Sequence, residues 1–65
     1  MDSLGKNLKQ IRKSRGLSQK EVAFNCDMDE QNYRRIENGK TNPTLKSLHR
    51  IGEALSVSVT ELLST

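Results

Sequence analysis

The stretch from Glu30 to Thr41, EQNYRRIENGKT, gathers the side chains of this sequence best suited to reading a polar surface. An arginine fork, as Arg34 and Arg35 provide, matches paired acceptors such as O6 and N7 of guanine; Gln31 matches the N6 and N7 edge of adenine, and Glu30 can accept from N4 of cytosine. That is chemistry of recognition. Bond-making chemistry has no comparable support: there is no nucleophile with a base beside it, no pair of carboxylates and no phosphate-cradling glycine loop, so an enzyme is not expected. One cysteine, Cys26, and one histidine, His49, leave no metal-ligand set, and no cofactor or small-molecule ligand is expected either. An ordinary solvated helix face carries the same residue types, so their meaning depends on the elements that hold them.

Those elements are announced by repeated start signals. An apolar residue, a capping residue and a second apolar residue four positions into the helix recur as Leu17, Ser18 and Val22; Met28, Asp29 and Tyr33; Pro43, Thr44 and Leu48; and Val57, Ser58 and Leu62. Glu21 and Glu61 complete capping boxes on Ser18 and Ser58. Gly16 and Gly39 stand where a helix end needs a left-handed residue. These signals predict five helices, at residues 2–15, 19–26, 30–38, 45–55 and 59–64. Apolar residues recur at helical spacing, Leu4, Leu8 and Ile11 on the first helix and Leu45, Leu48, Ile51 and Leu55 on the fourth, and nothing alternates as a strand would. Gly52 inside the fourth helix costs about 1 kcal/mol relative to alanine; it marks a close approach of another helix or a tolerated surface glycine.

Size and charge bound the answer further. Residues 1–65 form one all-α domain, with an expected folding free energy of about 3–10 kcal/mol that leaves little margin for a strained catalytic site. Eleven Lys and Arg face eight Asp and Glu, a net charge of +3, and six of the basic side chains but only one acidic one fall in residues 1–20. A pI of 9.4 suits a polyanionic partner, although many solvated helical surfaces give as much. The lone cysteine and the lack of an apolar span or signal peptide point to the cytoplasm and away from a membrane.

The second and third predicted helices are joined by only Asp27, Met28 and Asp29, too short for antiparallel packing and suited to a steep crossing at the small Ala23. The run LSQKEVAFNCDMDEQNYRRIENGKTNP resembles the signature of the Cro and phage-repressor family, the xenobiotic-response-element type of helix-turn-helix, in Ser18 and Gln19, in Ala23, and in Ile36 to Thr41. The likeness covers nearly the whole chain and implies a compact five-helix, lambda-repressor-like fold with the third helix in the major groove of DNA. Where the family usually has glycine in the turn, this sequence has Asp27, which tolerates a left-handed backbone at small cost.

The resemblance, together with the outward face opposite Tyr33 and Ile36, implies base-reading by Glu30, Gln31, Arg34 and Arg35. It places phosphate contacts on Gln19, Asn38, Lys40 and Thr41. Arg12 and Glu37 match a family ion pair that leaves the arginine partly aimed at phosphate; a plain surface pair is the alternative. Lys9 and Lys13 are solvated or contribute at longer range, and Cys26 is a small core residue or a redox group. Phe24 caps the core edge or touches a partner. The function implied is that of a transcriptional regulator, a repressor or autoregulator on a near-palindromic operator, binding as a homodimer through Val59 and Leu63 if these are not core. An antitoxin-like protein-interaction module is the alternative.

Overall fold

The computed structural model describes residues 2–63 and builds them into α1 (Asp2–Ser14), α2 (Gln19–Asn25), α3 (Glu30–Glu37), α4 (Leu45–Leu55) and α5 (Val59–Leu63). The predicted elements end within a residue of these bounds, and the expected last residue of the fifth helix, 64, lies outside the described residues.

Every expected cap forms. Ser18 and Ser58 accept from the amides of Glu21 and Glu61 at 3.0 and 3.1 Å while both glutamates reach back to the cap amides, and Asp29 and Thr44 accept from Asn32 and Ser47. A cap of this kind is worth about 0.5–2 kcal/mol, a large share for a domain this small.

The helix ends share a single design. Leu17, Met28, Lys40 and Val57 each donate an amide to the carbonyl five residues earlier, on Arg12, Ala23, Arg35 and Gly52, at 2.8–3.1 Å. The residue before each donor has positive φ: Gly16 at 70°, Asp27 at 56°, Gly39 at 72° and Ser56 at 62°. This is the Schellman arrangement, in which a left-handed residue lets the chain turn back onto its last carbonyls. Three of the four donors, Leu17, Met28 and Val57, are also the apolar residues that precede the next cap, and all three pack against the core. One residue therefore closes one helix with its amide and sets the approach of the next with its side chain. Asp27 takes the left-handed conformation expected of it, and Ser56 does so without a glycine to announce it.

α1 packs on α3 and α5, α2 on α3 and α4, and α4 on α5, around Leu4, Leu8, Val22, Ala23, Cys26, Tyr33, Ile36, Leu48, Ile51, Leu55 and Leu62. Two glycines permit the tightest approaches. A Cβ on Gly52 would lie 2.7 Å from the carbonyl oxygen of Val57, so this glycine serves the turn into α5. One on Gly5 would lie 2.2 Å from the carbonyl oxygen of Glu37, so the backbone of α1 rests directly on the last turn of α3. Leu45, expected in the apolar stripe of the fourth helix, is 66% exposed: it sits in the first turn of α4, and the buried stripe begins at Leu48. Among the described residues no helix is long and apolar enough to cross a membrane.

Candidate nucleic-acid interface

α3 buries Tyr33, Ile36 and Glu37 and exposes Gln31, Asn32, Arg34, Arg35 and Asn38, with Glu30 half-buried at its start. At about 100° per residue, Gln31, Arg35 and Asn38 fall on the side away from the core, whereas Glu30 and Arg34 fall on the flank nearer Glu37. Neither Gln31 nor Arg35 makes a side-chain hydrogen bond or ion pair with any described residue.

What holds this helix is a buried polar knot at its C-terminal end. Glu37 is only 7% exposed, and both carboxylate oxygens are saturated. Oε2 accepts from Arg12 Nε at 2.7 Å and from the Tyr33 hydroxyl at 2.6 Å; Oε1 accepts from Arg12 Nη2 at 3.2 Å and from Gln19 Nε2 at 3.1 Å. Burial pushes the Glu37 pKa up, but hydrogen bonds from Arg12, Tyr33 and Gln19 outweigh it and hold the carboxyl below its usual range. The same contacts act on the partners: the hydrogen bond to Glu37 raises the Arg12 pKa against burial, and burial together with the nearby carboxylate pushes the Tyr33 phenol up. Arg12 remains an ion and Tyr33 a neutral donor.

Arg12 is therefore not the half-free cation the resemblance implied. It is 8% exposed, and its remaining terminal nitrogen, Nη1, donates to the carbonyl of Leu17 at 2.9 Å. The ion pair expected with Glu37 is present, and it is a buried one rather than a surface pair. This geometry aims the guanidinium at the protein, so Arg12 positions α3 and the turn before α2.

Gln19, half-buried at the first position of α2, is engaged at both ends of its amide: Nε2 donates to Glu37, and Oε1 accepts from Arg34 Nε at 3.1 Å. Arg34 Nη2 in turn donates to Glu30 Oε2, an ion pair one turn apart on α3. The sequence indicated the residues but not this chain of contacts. Gly5, too, was missed as a site-positioning residue; its only signal was a glycine among strong helix formers, with nothing local to explain it.

After α3, Asn38 and Lys40 are exposed and Thr41 is half-buried, all within the loop that Gly39 turns. The amides of Asn38 and Lys40 are fixed by the helix end, donating to the carbonyls of Arg34 and Arg35. Cys26 lies in the core, its thiol near the carbonyl of Ala23 at 3.6 Å and its pKa pushed up by burial, while His49 is exposed. Of the two expected pairing residues, Leu63 is 50% exposed, but Val59 is half-buried against the core. Phe24 is 84% exposed and caps nothing.

A short α2–turn–α3 unit with a polar, outward α3 defines a helix-turn-helix DNA-binding transcriptional regulator. A helix-turn-helix family model matches residues 8–62, and the chain belongs to this family, in its Cro/C1-type branch. It is 41% identical over 61 residues to the control protein C.MunI of a Mycoplasma species, covering 92% of this chain and 82% of the relative. The restriction-modification controller protein C.AhdI from Aeromonas hydrophila superposes with a TM-score of 0.93 at 29% identity, covering 95% of this chain and 94% of that one. The N-terminal DNA-binding domain of SinR from Bacillus subtilis gives 0.92 at 30% identity, over 100% of this chain and 96% of the other.

Proposed function

We propose that this chain is a restriction-modification controller that regulates transcription, as a repressor or autoregulator, by binding a near-palindromic double-stranded DNA operator as a homodimer. The observation that carries the reading is the unengaged pair Gln31 and Arg35 on the outer face of a helix fixed from behind by Arg12, Tyr33 and Glu37. A rigid mount with unpaired donors on its far side suits direct readout in the major groove. Asn38, Lys40 and Thr41 border that face and supply phosphate contacts that fix register without reading sequence, joined by the second N–H of the Gln19 side-chain amide, whose first is given to Glu37. The role is one of binding, not catalysis.

One domain of this size covers only about 600–1,000 Å² of DNA interface and reads a few base pairs, which favours two copies on one operator. Leu63, exposed at the end of α5, is the leading contact between them, with half-buried Val59 at its edge. The controller proteins among the relatives support the assignment to restriction-modification control. Selection from a random duplex pool tests the proposal: it expects a near-palindrome whose half-sites lie one helical turn, about 10 base pairs, apart. Recovery of no consensus would overturn it. A protein-interaction module is the second reading, favoured most by the 84% exposure of Phe24; it requires Phe24→Ala to abolish capture of a partner protein while sparing DNA binding.

A further inference from the structure

Glu30 and Arg34 both stand on the recognition helix, and both types can address bases, yet the structure turns them toward each other. Arg34 Nε is occupied by Gln19 Oε1 at 3.1 Å and Nη2 by Glu30 Oε2, so the edge of the guanidinium formed by these two nitrogens faces the protein. Nη1 has no hydrogen-bond partner among the described residues. Two restraints from two different helices leave the plane of the guanidinium little freedom to turn. The remaining edge, Nη1 with the second N–H of Nη2, is the end-on fork that donates to two acceptors side by side.

We infer that Glu30 is a specificity-determining positioning residue that acts on DNA through Arg34: it holds the guanidinium in one orientation, so that the end-on fork serves one base position rather than any phosphate within reach. An unrestrained arginine beside a duplex gains most from the nearest phosphate, which carries no sequence information. A carboxylate on its side edge removes that option at two levels. It cancels much of the local positive charge, which weakens attraction to phosphate in general, and it fixes direction, which keeps the fork for a paired acceptor such as the guanine edge. Gln19 joins this restraint to the buried knot, since the amide that holds Arg34 Nε also donates to Glu37. In this account Glu30 touches no base.

The inference rests on the operator-binding reading, and a double-mutant cycle separates the two. Affinities of the full chain, Glu30→Ala, Arg34→Ala and the double variant are measured for the selected operator and for a scrambled duplex of equal length, at one salt concentration, after circular dichroism has shown each variant folded. Loss of the carboxylate raises affinity for both DNAs through plain electrostatics, so the deciding quantity is the operator-to-scrambled ratio. Glu30→Ala is expected to lower that ratio about five- to tenfold when Arg34 is present and to leave it unchanged when Arg34 is already alanine. An equal fall in both backgrounds means that Glu30 reads a base itself, and an unchanged ratio with Arg34 present means that it restrains nothing; either result overturns the inference. A full chain that shows no preference for any selected duplex overturns the operator reading and this inference with it.

Discussion

Tyr33 donates its hydroxyl to Glu37 Oε2 at 2.6 Å, one turn along the same helix, and the same oxygen receives Arg12 Nε from α1 at 2.7 Å. A carboxylate carrying a neutral and a cationic donor on one oxygen cannot slide, and α3 is thereby registered against α1 before any DNA arrives. Breaking such a buried pair from one side leaves a charge without its counter-charge, at about 3–5 kcal/mol, whereas replacing both partners by apolar residues is often neutral. Glu37→Gln is therefore expected to unfold at a much lower urea concentration than the parent, and Arg12→Met with Glu37→Leu to recover only part of the loss, because the buried Tyr33 hydroxyl is left without its acceptor. Urea titration by circular dichroism checks both.

The same carboxylate gives the fold an acid sensitivity of known sign. Its pKa is lower folded than unfolded, so its contribution is complete above the unfolded glutamate value of about 4.3 and is lost as pH falls through the folded value. The urea midpoint of the parent should fall more steeply below about pH 4 than that of the doubly apolar variant. Parallel curves for the two proteins would remove Glu37 from the account.

Gly5→Ala should destabilise the domain although alanine is the better helix former by about 1 kcal/mol. The new methyl would sit 2.2 Å from the backbone oxygen of Glu37, an atom that cannot move without α3. A net loss of about 2 kcal/mol or more is expected, seen as a fall in Tm of about 8 °C or more. Gly16→Ala is the control, because nothing lies within 4 Å there and only the left-handed φ of 70° is strained.

What the sequence makes legible here is local. Caps at Ser18, Asp29, Thr44 and Ser58, the glycine stops at 16 and 39 and the left-handed Asp27 are decided within a few residues of chain, and each was readable as a pattern. The Arg12 to Glu37 pair came through resemblance, but its burial did not, because burial is set by where α1 crosses α3. Gly5 depends on that same crossing and the double engagement of Gln19 on the packing of α2 against α3, between residues 15 to 32 positions apart, and neither leaves a local trace. Ser56 adopts φ of 62° under the pull of Val57 toward the core, a tertiary demand that overrides its own preference. The exposure of Leu45 departs from its place in the apolar stripe, and Val59 stayed open between core and surface, because five-residue and first-turn segments carry too few residues to define a face.

The revised exposure of the pairing residues sharpens the test of assembly. Val59→Asp would disturb the core edge, so Leu63→Asp is the cleaner probe. It should leave the Tm within about 2 °C and lower affinity for the two-half-site operator at least tenfold, with little change for an isolated half-site. Equal binding of both DNAs by the variant and the parent in a gel-shift titration would speak against a dimer contact at α5.

Lys40→Ala should weaken binding to operator and scrambled DNA alike and reduce the magnitude of the salt slope, log Kobs against log salt, by about 1, the loss of one phosphate contact. A change in the preferred bases would instead place Lys40 in the groove.

The central claim is that the outer face of α3 reads base edges, and the most direct measurement is the affinity of Gln31→Ala and Arg35→Ala for the selected operator beside that for scrambled DNA. Both side chains are exposed and unengaged, so neither replacement should disturb the fold. The account predicts a loss of about 1–3 kcal/mol on the operator for each variant, with affinity for scrambled DNA barely changed. Equal losses on the two DNAs would contradict it and reduce α3 to a charged surface without a reading function.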